Sequence, residues 1–340
     1  MTLTLQPPIA PMEAQTAEVL PAGDWQYELK WDGFRCLAFR DGDDIRLQSK
    51  NARPLERYFP DVVLSLARLR ARRFVLDGEL VVPVADGVSF EALQLRLHPA
   101  ASRVAKLAAE QPAGYVLFDL LVDDRGVVRA GEPLQQRRRR LERLAARALP
   151  PDSTVMLSPA TSDVVLARRW LDMPRPGLDG VMAKRLDEPY RPGERTAMVK
   201  VKRERTVDCV VGGFRSAPRG PCVASLLLGL YDEEGVLHHV GHTSGVPERE
   251  RDTLTRDLLA RARPPEEGGG FDGRAPGGPS RWSRAGTRGV QPVLPGLVVE
   301  VAYDHWSGGR FRHGARLLRR RPEKSPAQCT FEQIPSGLLR

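Results

Sequence analysis

Cysteine is scarce: 4 in 340 residues, at positions 36, 209, 222 and 329, with no closely spaced pair among them. A thiolate zinc site and a disulfide framework both need such spacing, so neither is expected, and Cys36, Cys209, Cys222 and Cys329 read as free thiols in a reducing compartment. No apolar run approaches the ~20 residues that a membrane-spanning helix requires. The opening MTLTLQPPIAPMEAQ has no basic stretch followed by an apolar core, the pattern of a secretory leader. The expectation is a cytoplasmic, nucleoid-associated protein with no membrane partner. No self-similar segment of roughly 20–50 residues recurs, so a solenoid or propeller is not expected.

With 41% hydrophobic and 28% charged residues the chain can bury a core, which excludes disorder throughout. Its 340 residues suggest two domains, at ~150 residues each. The 52 Lys and Arg outnumber the 43 Asp and Glu by nine, so a polyanionic partner is favoured over a small metabolite.

From Gln26 to Val84, apolar and polar residues alternate in short runs divided by Asp32-Gly33, Asp41-Gly42 and Asp77-Gly78. These pairs predict hairpin turns between antiparallel strands. PDVVLSLARLRA places Val62, Val63, Leu66 and Leu69 at helical spacing. SFEALQLRLHPAASRVAKLAAEQ and PLQQRRRRLERLAARAL also read as helices, flanking a strand GYVLFDLLV. In the second of them Leu134, Leu141, Leu144 and Ala148 face inward, while Arg137 to Arg140 form a solvated face. From Thr206 onward short strands follow one another at the spacing of a small barrel, so a first domain over 1–204 and a second over 205–340 are expected. The Gly/Pro/Arg-rich stretch of about 261–289 reads as a flexible basic loop. In LHHVGHTSG, successive strand residues face opposite sides, so His238 and His239 do not converge on a metal.

Residues 28 to 36, ELKWDGFRC, pose the chemical question. Period-two alternation turns Glu28 and Lys30 to one face of a strand and Leu29 and Trp31 to the other. KWDGFR resembles the Lys-x-Asp-Gly-x-Arg signature of the covalent nucleotidyltransferases, the superfamily of ATP-dependent DNA ligases, RNA ligases and mRNA capping enzymes. Six further stretches resemble that superfamily's elements in order: SKNARPL (49–55), LDGEL (76–80), YVLFDLL (115–121), LDGVMAK (178–184), MVKVKRE (198–204) and RPEK (321–324). The whole is similar to the minimal bacterial ATP-dependent DNA ligases of the C type, relatives of the ligase module in D-type end-joining ligases.

The resemblance implies an α+β fold: a nucleotidyltransferase (adenylation) domain of antiparallel sheets with flanking helices, followed by an OB-fold β-barrel domain. It implies Lys30 as the nucleophile that takes AMP from ATP. A lysine attacks only as the neutral amine, and neighbouring cations favour that form. Glu28, Leu29, Arg35, Arg53, Glu79, Phe118, Lys184, Lys200 and Lys202 are implied to bind ATP or AMP, with Phe118 stacking on the purine and Glu28 at its edge. Glu79 and Asp179 are the implied ligands of Mg²⁺ or Mn²⁺, and Arg321 and Lys324 would orient pyrophosphate during closure. The chain departs from the pattern at Lys50 and Ala52, at Asp179, where a Glu is usual, and at Glu323, where an Asp is usual.

The implied activity is ATP-dependent sealing of 5′-phosphate/3′-hydroxyl nicks through a lysine-AMP intermediate and adenylated DNA, in DNA repair. Nicked double-stranded DNA is the implied partner, with end-joining or repair proteins beside it, for a monomer. An RNA ligase or capping-type guanylyltransferase shares the lysine element, and an inactive basic DNA-binding module would share the charge. Retention of Lys30, Glu79, Lys184 and Lys200 together argues against the last.

Overall fold

Alternation in Trp25–Trp31 and Met198–Lys202 and β-branched residues in Arg73–Val81 and Gly114–Val122 favour extended chain, and all four segments are strands. The computed structural model describes residues 3–85, 87–173, 177–217, 220, 222–264, 270–274 and 290–335. It divides into two compact units, Met1–Arg203 and Glu204–Arg340.

The first unit is built on two five-stranded sheets. One runs in the order Gln15–Ala17, Met198–Lys202, Leu178–Arg185, Trp25–Trp31, Ala160–Thr161, antiparallel except that Gln15–Ala17 lies parallel to its neighbour. The other runs Asp44–Ser49, Phe34–Asp41, Arg73–Val81, Gly114–Val122, Val155–Leu157. On one face of the second sheet Cys36, Leu76, Tyr115 and Leu117 pack against Val62 and Leu66 of the helix Pro60–Ala67 and Leu141 and Leu144 of the helix Leu134–Ala148. On its other face Leu37, Phe39, Val75 and Leu121 meet Met12 and Met198, so the two sheets share a core. Polar side chains that face the space between them are therefore held by buried strands on both sides.

Only one of the Asp-Gly pairs closes a hairpin. Asp41 pairs with Asp44 across Gly42, as expected. Asp32-Gly33 is instead a corner at which the chain leaves one sheet and enters the other, because Trp25–Trp31 and Phe34–Asp41 belong to different sheets. Asp77-Gly78 lies inside the strand Arg73–Val81. A Cβ on Gly78 would stand 2.5 Å from the Tyr115 ring, so glycine is needed there for close approach and not for a turn. The long helix expected across residues 89–111 is two helices, Phe90–Leu95 and Ala101–Glu110, with Pro99 in the break. The arginine run also needs correction: Arg137 and Arg138 are buried. Arg137 Nε and Nη2 donate to the two oxygens of Asp119 at 2.8 and 2.9 Å, which offsets the cost of burying the charge.

In the second unit the strand order is Leu237–His242, Val223–Tyr231, Arg205–Ser216, Val298–Tyr303, Arg316–Arg320, with Val290–Pro292 also paired to Arg205–Ser216. A bridge between Thr243 and Ala315 links the ends of the two edge strands. Leu254 and Leu258 of the helix Glu248–Leu259 enter its core beside Val210, Leu228 and Val299. This is the curled sheet of an OB-fold. Much of the expected basic loop, 265–269 and 275–289, lies outside the described residues. Within that stretch, Phe271 packs against the core, and Asp272 and Gly273 donate their backbone N–H groups to Leu237 O.

Candidate active site

A cavity of about 470 Å³ opens in the first unit, lined by Glu28, Leu29, Lys30, Trp31, Arg35, Glu79, Phe118, Lys184 and Lys200 among others. Three adjacent strands supply its base. Their register sets Lys30 opposite Gly180, Glu28 opposite Met182, and Met182 in turn opposite Lys200. Alternation thus puts Glu28, Lys30, Lys184, Lys200 and Lys202 on one face.

Among the described residues the charges on this face are paired except that of Lys200. Lys30 Nζ donates to both oxygens of Asp179, at 2.7 and 2.8 Å, and Lys202 Nζ stands 4.0 Å from the same carboxylate. Asp179 is 4% exposed and Lys30 20%, so the amine is the partner that reaches the opening. Glu28 accepts from Lys184 Nζ at 2.9 and 3.0 Å and from Gln26 Nε2 at 2.6 Å, a fully buried set. Lys200 makes no ion pair among the described residues, and burial, then Lys202 and Lys30, lower its ammonium from the ordinary lysine range.

The second sheet supplies the facing wall. Arg35 donates through Nε and Nη2 to the two oxygens of Asp77 at 2.5 and 2.6 Å, and the Tyr190 hydroxyl donates to the same carboxylate at 2.6 Å. Phe118 occupies a β-bulge: Gly78 is paired with Leu117 and Asp77 with Asp119, leaving Phe118 between them. The extra residue turns the ring out of the helix-covered core and into the cavity. Arg35 lies 4.5 Å and Lys184 Nζ 4.4 Å from its centroid. Glu79 is held in low-dielectric surroundings, and burial pushes its carboxyl up to about 8 against the pull of Arg35 and Lys30.

Arg53 is exposed and is not among the cavity's lining residues. The turn explains its position: Ala52 takes a left-handed φ of 58°, and Arg53 N donates to Ser49 Oγ at 3.0 Å. That geometry brings Lys50 to the rim, where Glu13 holds it at 3.0 Å. Lys202 also falls outside the lining set, and Asp179 meets the site through Lys30. Arg321 and Lys324 belong to the second unit, where both bind Asp208. His238 bonds Asp232, while His239 turns the opposite way against Phe271.

Sequence reasoning passed over several parts of the site. The N-terminal arm carries none of the seven motif stretches, yet Met12 to Thr16 line the cavity and Gln15–Ala17 extends its sheet. Asp77 stands in LDGEL without an assigned role, and no local signal shows that it meets Arg35, 42 positions away. Trp31 lines the cavity and anchors through Nε1 to Ser158 Oγ at 3.1 Å.

The family model described as the ATP dependent DNA ligase domain matches residues 9–202, and that of the ATP dependent DNA ligase C terminal region matches 219–324. The chain is 43% identical to DNA ligase C2 of Mycolicibacterium smegmatis, over 99% of this chain and 97% of that protein. It is 39% identical to DNA ligase C of Mycobacterium tuberculosis, with the same coverages. Among solved structures, a Lig E DNA ligase described as binding DNA with a minimal scaffold superposes with a TM-score of 0.55 at 18% identity, covering 92% of this chain and 99% of that one, a likeness of fold. With family models matching in both units and relatives matched along nearly its whole length, this chain is a member of the ATP-dependent DNA ligase family.

Proposed function

We propose that Lys30 is the residue that becomes adenylated, and that the enzyme seals 5′-phosphate/3′-hydroxyl nicks in duplex DNA during repair. The observation that carries this reading is the position of Lys30 Nζ: it lies at the mouth of the cavity, on one strand face with Glu28 and Lys200. The Lys30 amine attacks the α-phosphorus of ATP, the α–β bridging bond breaks, and pyrophosphate leaves. A 5′-phosphate oxygen of the nick then takes AMP and frees the amine. The 3′-hydroxyl finally attacks the activated 5′-phosphate, AMP departs, and the strand is closed.

Each step accumulates charge on phosphoryl oxygens, which cations in a water-poor cavity stabilise. Lys200 is the cation best placed for that work, since Lys184 is held by Glu28 and Arg35 by Asp77. Phe118 offers its ring to a purine and Glu28 the acceptor at its edge, with Leu29 contributing its backbone between Glu28 and Lys30. Arg53, Lys202, Arg321 and Lys324 are read as further contacts to the nucleotide phosphates and to the leaving pyrophosphate.

No group of three or more potential metal ligands occurs among the described residues. Glu79 and Asp179 are carboxylate donors of the hard type that Mg²⁺ or Mn²⁺ takes, and would complete the shell of an ion carried mainly by nucleotide phosphates. Such an ion would neutralise phosphate charge as pyrophosphate forms. Lys30 holds both oxygens of Asp179, and burial raises the Glu79 carboxyl to about 8.

The first unit is read as the adenylation domain and the second as the OB-fold domain, with the unit boundary at 203/204 and the expected one at 204/205. The substrate is nicked double-stranded DNA, with end-joining or repair proteins as further partners of a monomer. Incubation with labelled ATP tests the reading. Wild-type protein should acquire a single AMP whose bond is acid-labile and stable to alkali, as a phosphoramidate is, and Lys30→Ala should acquire none. Labelling of Lys30→Ala, labelling by GTP in place of ATP, or sealing of nicked RNA in preference to nicked DNA would each overturn it.

A further inference from the structure

Arg321 and Lys324 follow the strand Arg316–Arg320 in the second unit and share one carboxylate, that of Asp208, while Arg321 also stands 3.7 Å from Glu300 Oε2. Asp208 Oδ1 accepts from Arg321 Nη1 at 3.0 Å; Oδ2 accepts from the same nitrogen at 3.2 Å and from Lys324 Nζ at 2.6 Å. Asp208 lies in the strand Arg205–Ser216 between Val207 and Cys209, which enter the hydrophobic core. Alternation therefore turns its carboxylate out of the core and onto the cations. Its backbone is clamped as well: Asp208 N donates to Gln333 Oε1 at 3.2 Å, and Gln333 Nε2 donates to Asp208 O at 3.0 Å. Lys324 Nζ also donates to Gln333 Oε1, at 3.4 Å.

The acid inside the RPEK element has none of this fixity. Glu323 is 59% exposed and bonds Arg321 Nε alone. Asp208, 7% exposed and fixed at carboxylate and backbone, is the group that can hold two like charges side by side against their repulsion. Two flexible cationic side chains lose rotamer freedom on meeting an anion, and a fixed carboxylate between them removes part of that cost beforehand.

We propose that Asp208 is a positioning residue for adenylation, setting Arg321 and Lys324 as one preformed pair for the pyrophosphate end of ATP. The proposal rests on the reading that these two cations act on pyrophosphate. It assigns to a residue outside every motif the anchoring work that the acid of the motif cannot do from an exposed position.

The test separates the first chemical step from the last. Protein stripped of AMP with pyrophosphate is assayed for AMP uptake from ATP, for pyrophosphate-driven reversal, and for sealing of a nick already carrying AMP. Asp208→Asn keeps the shape and removes the charge; it should slow AMP uptake by about tenfold or more and weaken reversal in parallel, while sealing of the pre-adenylated nick stays within about threefold. Asp208→Glu should recover part of the loss. In a Lys324→Gln background, Asp208→Asn should add less than about twofold, because the pair is already broken.

Gln333→Met, which releases the backbone clamp and leaves every charge in place, should give the same split in milder form and serves if Asp208→Asn does not fold. Wild-type AMP uptake by Asp208→Asn, alongside a slow Lys324→Gln, would overturn the proposal. An equal loss of uptake and of pre-adenylated sealing would overturn it too, by showing a structural role only. If Arg321→Ala and Lys324→Gln themselves take up AMP at the wild-type rate, the pyrophosphate reading fails and the proposal falls with it.

Discussion

Glu79 stands apart from the other acids of the first unit because burial outweighs the cations near it. Asp77, Asp179 and Glu28 each face a cation at hydrogen-bond distance, whereas Glu79 feels Arg35 and Lys30 without bonding either among the described residues. Its carboxyl therefore titrates near 8 in the folded chain against 4.5 ordinarily. Below the ordinary value both the folded and unfolded chains hold the proton, and Glu79 costs the fold nothing. As pH rises towards the folded value, the unfolded chain sheds the proton first and gains stability relative to the native one. Each pH unit between the two values corresponds to about 1.4 kcal/mol, an upper bound wherever water reaches the group. Glu79→Gln should thus match wild type in unfolding free energy near pH 4 and exceed it by at least about 1 kcal/mol near pH 9, measured without nucleotide and with a chelator present. A difference that does not grow with pH would show that Glu79 is ionised and solvated in the folded chain.

At the level of strands and helices, the sequence disclosed which residues share a face but not what faces them. Period-two alternation is local, so Glu28 with Lys30 and Lys200 with Lys202 could be read from spacing. The partners of these residues come from far along the chain: Asp179 lies 149 positions from Lys30, Lys184 lies 156 from Glu28, and Asp77 lies 42 from Arg35. No local pattern encodes such pairings, and for that reason Arg137, on a run that reads as solvated, is buried on Asp119. The Asp-Gly pairs mislead for a similar reason. Glycine before a hairpin and glycine beneath a neighbouring ring are the same letter. For Gly78 the second cause holds, since a Cβ would meet Tyr115 at 2.5 Å and the Val116 carbonyl at 2.6 Å. Tyr115 cannot retreat, because its hydroxyl donates to Cys36 O at 2.8 Å and to Leu76 O at 3.1 Å. Gly78→Ala should destabilise the first unit by about 1–3 kcal/mol through overpacking. Gly131→Ala, with nothing within 4 Å of the added carbon, is the control and should be nearly neutral. Equal melting temperatures for the two variants would show that Arg73–Val81 has room that the strand pairing does not suggest.

For the whole molecule, the surplus of positive charge separates two kinds of binding. Recognition of ATP draws on a handful of groups in one cavity, several already neutralised by Asp179, Glu28 and Asp77. A duplex instead meets many Lys and Arg side chains at once, and the chain carries nine more basic than acidic residues to meet it with, 52 against 43. Each phosphate neutralised releases counterions, so affinity for DNA falls steeply with salt, whereas the uptake of one nucleotide responds to far fewer released ions. The apparent Kd for a nicked duplex should therefore weaken by roughly a hundredfold or more between about 50 and 200 mM NaCl, while the half-saturating ATP concentration for AMP uptake changes by only a few-fold. Both are measured on the same preparation across one salt series, with the Lys30→Ala protein used for DNA binding so that no sealing intervenes. A duplex affinity that stays flat across the series would mean that shape and apolar contacts hold the DNA. The basic surplus would then be a matter of composition alone, and the arginines of the second unit would have to be explained by the intramolecular pairs they make, as Arg319 with Glu300 and Arg321 with Asp208 already are.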